Sequence, residues 1–100
     1  MKPIKIVTKS GYKCTINPKI LEDWDFLEII VLADSEDNHE KLKGSIAVVD
    51  YLFKDKKKEY LDFLRKKNGD NIADVEVIKD DVYGIITEVK ALKNSSSSEG

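Results

Sequence analysis

Apolar positions along the chain change their spacing several times, and each change marks an element. Ile4, Ile6 and Thr8 fall on one side of an alternating pattern, as do Tyr12, Cys14 and Ile16, the period of a half-buried strand. A three-residue Lys9-Ser10-Gly11 loop pairs Ile4 with Ile16, Ile6 with Cys14 and Thr8 with Tyr12. A two-residue turn would pair Ile6 with Thr15 and scramble the faces. The register that unites the apolar side chains predicts a hairpin over 4–16, with Gly11 supplying the positive φ of a bulged turn. An isolated hairpin is marginal, so its apolar face should lie on helices.

From Asn17 the period lengthens. Asn17 is a good N-cap, Pro18 suits a first helical position, and Glu22 and Asp23 keep negative charge near the positive end of the dipole. These signals predict a helix over about 18–33. Ile20, Leu21, Trp24, Leu27 and Val31 recur at helical spacing as its core stripe. Phe26, Ile29 and Ile30 form a second apolar group on roughly the opposite side. Either a partner or the hairpin must cover that group, and Phe26, Ile29 and Ile30 are accordingly the candidate partner-binding residues.

Three more helices are predicted after the polar connection 34–39. The second, about 40–53, carries Leu42, Ile46, Val49 and Phe53 on one face, with Gly44 weakening it by roughly 1 kcal/mol relative to Ala. The third, about 56–67, buries Tyr60, Leu61, Phe63 and Leu64 and stops at Asn68-Gly69. The fourth, about 74–93, has the most regular stripe: Val75, Ile78, Val82, Ile85, Ile86, Val89 and Leu92. The Ser-rich stretch 94–100 has nothing to bury and is expected to be a disordered tail. The fold class is therefore α-rich (α+β): one domain over 1–93, an N-terminal hairpin packed on a bundle of about four helices, with no internal repeat.

Composition narrows the function. Lys and Arg number 17 against 19 Asp and Glu, a net charge of −2, whereas a dedicated nucleic-acid binder carries a basic excess or patch. Cys14 is the only cysteine, so no intrachain disulfide can form and a reducing compartment fits. The start MKPIKIVTKS lacks the apolar run of a signal peptide, and no stretch is apolar enough to span a bilayer. A cytoplasmic location is expected.

No constellation reads as catalytic, metal-binding or cofactor-binding. His39 stands in a polar loop with no nucleophile indicated beside it. Cys14 alternates inward with isoleucines, the setting of a buried small hydrophobe. The acidic run from Asp34 fails as a calcium loop, because His39 occupies the required Gly position and Ser45 the final Glu position. Asp80 and Asp81 read as a solvated helix face. The basic segment 54–67 is diluted by Asp55, Glu59 and Asp62, and no Gly-rich phosphate loop accompanies it.

The order of features resembles a known family. TKSGYKCTINPKILEDWDFLEIIVLAD is similar to the opening of the small tail assembly chaperones of long-tailed (siphovirus-type) bacteriophages and prophages of Gram-positive bacteria: a short hairpin with a Ser-Gly turn, then an acidic-aromatic-Leu helix. LFKDKKKEYLDFLRKKNGDNI resembles that family's charged joint, short helix and Asn-Gly turn, and a last amphipathic helix and Ser-rich tail complete the likeness. The stretch Val75 to Val89, rich in Val and Ile with Gly84 inside it, departs from the pattern. The resemblance implies a non-enzymatic protein, without cofactor, that coats the tape measure protein while the tail tube protein polymerises around it. It further implies possible self-association, residence in the host bacterial cytoplasm and absence from the mature virion. The competing expectation is a small regulatory or nucleic-acid-associated interaction protein using the basic segment 54–67.

Overall fold

A computed structural model describes the backbone of residues 2–99 and the side chains up to Leu92. Strands β1 (Ile4–Val7) and β2 (Lys13–Ile16) form an antiparallel hairpin, followed by a 3-10 helix at Pro18–Glu22. Then come α1 (Trp24–Ala33), α2 (Asn38–Phe53), a 3-10 turn at Lys54–Lys56, α3 (Lys57–Asn68) and α4 (Val75–Glu99). This is the expected α-rich architecture of a hairpin on helices.

The hairpin has the expected register. Ile4 faces Ile16 and Ile6 faces Cys14. The Thr8 N–H donates to the Tyr12 carbonyl at 2.8 Å, and Gly11 has φ +99°. Ile6, Tyr12 and Ile16 are buried against the helices, which a lone two-stranded ribbon needs in order to persist.

The first helix departs from expectation. Asn17 does cap, accepting from the Lys19 N–H at 2.9 Å, but it opens a 3-10 helix that ends at Glu22. Asp23 is extended (φ −85°, ψ 125°) and caps a fresh helix by accepting from the Asp25 N–H. The Glu22-Asp23 pair, read as a favourable first turn, thus includes a second helix start. One extended residue breaks the phase between Ile20 and the residues that follow, and α1 turns its other face to the core. Phe26 is fully buried, with its ring 4.9 Å from that of Tyr51 on α2.

Helix α2 begins at Asn38, two residues before expectation, because Asp37 caps it by accepting from the His39 N–H at 2.9 Å. Its buried residues are Gly44, Val48, Val49, Leu52 and Phe53, while Leu42 and Ile46 are exposed. The shift follows from Gly44. A Cβ there would stand 2.6 Å from Ala33 Cα and closer still to the Ala33 nitrogen, so α1 and α2 touch backbone to backbone.

The α2–α3 corner turns on Lys54, whose φ of +48° and ψ of −123° lie in a region that favours glycine. Helix α3 ends on Gly69 at φ +77°, the expected left-handed stop. Tyr60 and Leu64 are buried, and the Phe53 and Tyr60 rings stack at 4.1 Å.

Helix α4 starts on Asp74, which accepts from the Glu76 N–H at 2.8 Å. Its buried line is Asp81, Ile85 and Val89, with Val77, Ile78, Val82 and Ile86 packed beside it. Val75 and Leu92, expected in the stripe, are exposed at its ends. The α4 helix runs on to Glu99, through the 94–100 stretch where a disordered tail was expected, and the side chains beyond Leu92 lie outside the described residues.

Candidate interaction surface

The two faces of α1 are exchanged relative to expectation. Phe26 is 0 % exposed, and Ile29 and Ile30 are half-buried against the core, so this trio holds the helix down and is not an open partner surface. Helix α2 covers Phe26 through Tyr51. Of the predicted core stripe, Ile20 and Leu21 on the 3-10 helix do pack in the core, while its α1 members face outward: Trp24 is 71 % exposed, Leu27 45 % and Val31 70 %. These residues lie at i, i+3 and i+7, one continuous line along the helix. Leu32, 38 % exposed, extends it, and Glu28 sits one turn from Trp24, Val31 and Leu32. The chain has the spare apolar stripe that its sequence promised, on the opposite face of the same helix.

A second feature was missed. Asp81 is fully buried, not on a solvated face. One carboxylate oxygen accepts from the Ser10 backbone N–H at 2.9 Å. The other accepts from Ser10 Oγ and from the Tyr60 hydroxyl, both at 2.6 Å. Thr8 Oγ1 shares a 2.9 Å hydrogen bond with Ser10 Oγ and accepts from the Tyr12 N–H, while Lys67 Nζ donates to the Ser10 carbonyl. Asp81 thereby ties the hairpin tip to α4 and α3. Burial, then the hydrogen bond to Asp81, pushes the Tyr60 hydroxyl far above its ordinary pKa. The sequence signal was an acid placed four and eight residues before Ile85 and Val89, on the stripe itself.

Two similar links tie other elements together. The Tyr12 hydroxyl donates to Glu59 on α3, and the Tyr51 hydroxyl donates to Asp23 at the start of α1. Burial and these carboxylates raise both tyrosines to about 12. Burial, followed by the charge of Asp81, raises the Cys14 thiol to about 11, which keeps it protonated and unreactive near neutrality.

The basic segment 54–67 is partly occupied within the fold. Lys57 pairs with Asp50 at 2.5 Å and Arg65 with Asp62 at 2.8 Å, and Lys67 is held at Ser10. A cleft of about 510 Å³ at the base of the hairpin is walled by Lys19, Lys54 and Lys56 together with Asp23, Asp55 and Tyr51. Its charges are mixed, and its Asp23 carboxylate already accepts from Tyr51. His39 is exposed on the first turn of α2. Among the described residues, no group of His, Cys, Asp and Glu side chains is placed to hold a metal ion, and no helix is long and apolar enough to cross a membrane.

No protein-family model, curated protein or solved structure matches the chain.

Proposed function

We propose that this protein is a tail assembly chaperone of a long-tailed bacteriophage or prophage, binding the tape measure protein without enzymatic chemistry while the tail tube protein assembles. The reading rests on the resemblance of the hairpin, the acidic-aromatic helix, the charged joint and the Asn-Gly turn to that family. The observation that carries it is the exposed line Trp24, Leu27 and Val31 on α1. A long helical client displays apolar stripes that aggregate unless covered, and an apolar helix face meets such a stripe by helix-to-helix packing.

One α1 helix spans roughly 15 Å, so a single copy covers only about three turns of client. Many weak contacts along one client hold collectively yet release one at a time, which suits displacement by arriving tube subunits. The protein acts in the host bacterial cytoplasm and leaves before the virion is complete. Self-association on the client is compatible with this arrangement.

The test is co-expression with a tape measure protein, the long helical client that this reading names. The wild type should co-purify with it, and Leu27→Lys/Val31→Lys should not, while keeping the wild-type melting transition because both positions are exposed. Capture undiminished in that double variant would move the binding face elsewhere. Failure of the wild type to bind any such client would remove the chaperone reading.

A further inference from the structure

Charge along the segment that carries the exposed α1 stripe is one-sided. Residues 20–40 hold eight of the chain's 19 acidic residues and none of its 17 Lys and Arg. Helical spacing puts Glu28 on one side of the Trp24–Leu27–Val31 line, and Asp34, three residues beyond Val31, on the other. Asp25 lies beside Trp24 at the first turn. All three acids are exposed, and none has a cationic side chain within ion-pair distance among the described residues. Uncompensated charge bordering an apolar line repels acidic partners and steers basic ones.

We infer that the α1 face selects an amphipathic helix whose apolar stripe is bordered by Lys or Arg. This rests on the client-binding reading above and names the client's chemistry. An anionic lipid surface is disfavoured by the same acids, since amphipathic helices that lie on membranes carry basic borders. A second copy of this chain could not offer such a stripe from α3. Its own basic helix, α3, has Tyr60 and Leu64 buried and Leu61 and Phe63 half-buried, leaving no apolar line to offer beside Arg65, Lys66 and Lys67.

Trp24 is the only tryptophan and stands on the face itself, so its emission reports occupancy directly. The probes are two synthetic amphipathic peptides with the same Leu and Ala stripe, one bordered by Lys and one by Glu, titrated into the full chain. The Lys peptide should shift Trp24 emission to the blue and bind about tenfold more tightly than the Glu peptide, as a few rim charge pairs would give. The difference should shrink with added salt. Glu28→Lys/Asp34→Lys should reverse the preference, and Leu27→Ser/Val31→Ser should abolish the shift.

Equal affinity for both peptides, or a preference unmoved by the charge reversal, overturns the inference. So does the absence of a shift with either peptide. A blue shift that grows with protein concentration alone would give the face to a second copy and overturn it as well. None of these results uses the client, so each is separable from the co-purification result that decides the chaperone reading.

Discussion

A carboxylate removed from water costs several kcal/mol unless its oxygens are filled, and those of Asp81 take three donors from two other elements. The Ser10 N–H and the Tyr60 hydroxyl would be stranded if the acceptor vanished, because Ser10 is buried and the Tyr60 ring is closed in the core, whereas Ser10 Oγ keeps Thr8 Oγ1. Asp81→Ala leaves the Ser10 N–H and the Tyr60 hydroxyl without an acceptor, at about 1–3 kcal/mol for each buried group. The expected loss in unfolding free energy is about 3–5 kcal/mol, read from the midpoint of a urea transition with the slope checked for constancy. Asp81→Asn should lose roughly half as much, since its amide oxygen still accepts and both hydroxyls can turn to accept from the amide nitrogen. An alanine variant as stable as the wild type would mean that the hairpin tip is held by packing alone. A local reading of Asp80-Asp81 could not show this. The partners, Ser10 and Tyr60, lie far away in the chain, and a buried polar contact leaves no period in the sequence.

At the scale of elements, what was legible is what local chemistry decides. The hairpin register followed from keeping Ile4, Ile6, Cys14 and Ile16 on one face, and the α3 stop followed from Gly69. What was not legible depends on phase and on neighbours. Two apolar stripes on the 18–33 segment were both visible, but the extended Asp23 that sets which one faces inward has the same side chain as a first-turn acid. Gly44 shows the same limit. From propensity alone, Gly44→Ala should strengthen α2 by roughly 1 kcal/mol. The structure reverses the sign, because the added Cβ would collide with the Leu32–Ala33 backbone, which has no rotamer by which to yield. Prising the two helices apart loosens Phe26, Val48 and Tyr51 together. The expected effect is a destabilisation of about 2–3 kcal/mol by chemical denaturation, in the range of overpacked cores. A variant more stable than the wild type would mean that the α1–α2 contact opens to take a methyl group without cost.

For the molecule as a whole, three of the polar links share one chemistry: a phenol donates to a carboxylate across an element boundary. Tyr60 to Asp81 joins α3 to α4, Tyr12 to Glu59 joins the hairpin to α3, and Tyr51 to Asp23 joins α2 to the start of α1. A tyrosinate cannot donate, and beside a carboxylate in a buried site its charge is opposed twice, by burial and by repulsion. Tyr12 and Tyr51 are accordingly raised from 10.0 to about 12 and Cys14 from 9.0 to about 11, with Tyr60 raised as well. The unfolded chain, with ordinary values, releases these protons first as pH rises, so above pH 9 it binds fewer protons than the native state. Stability from these groups is therefore complete below about pH 9 and declines as pH climbs through 10 toward 12. Urea midpoints should stay level up to pH 9 and then fall steeply, with tyrosinate absorbance rising together with the loss of helical signal. Tyr60→Phe should unfold at lower urea near neutrality, since Asp81 loses a donor, yet show a shallower alkaline decline because one linked proton is gone. If the tyrosines ionised while the helical signal persisted, these hydroxyls would not be the ties that hold hairpin, α1 and α4 to a common core.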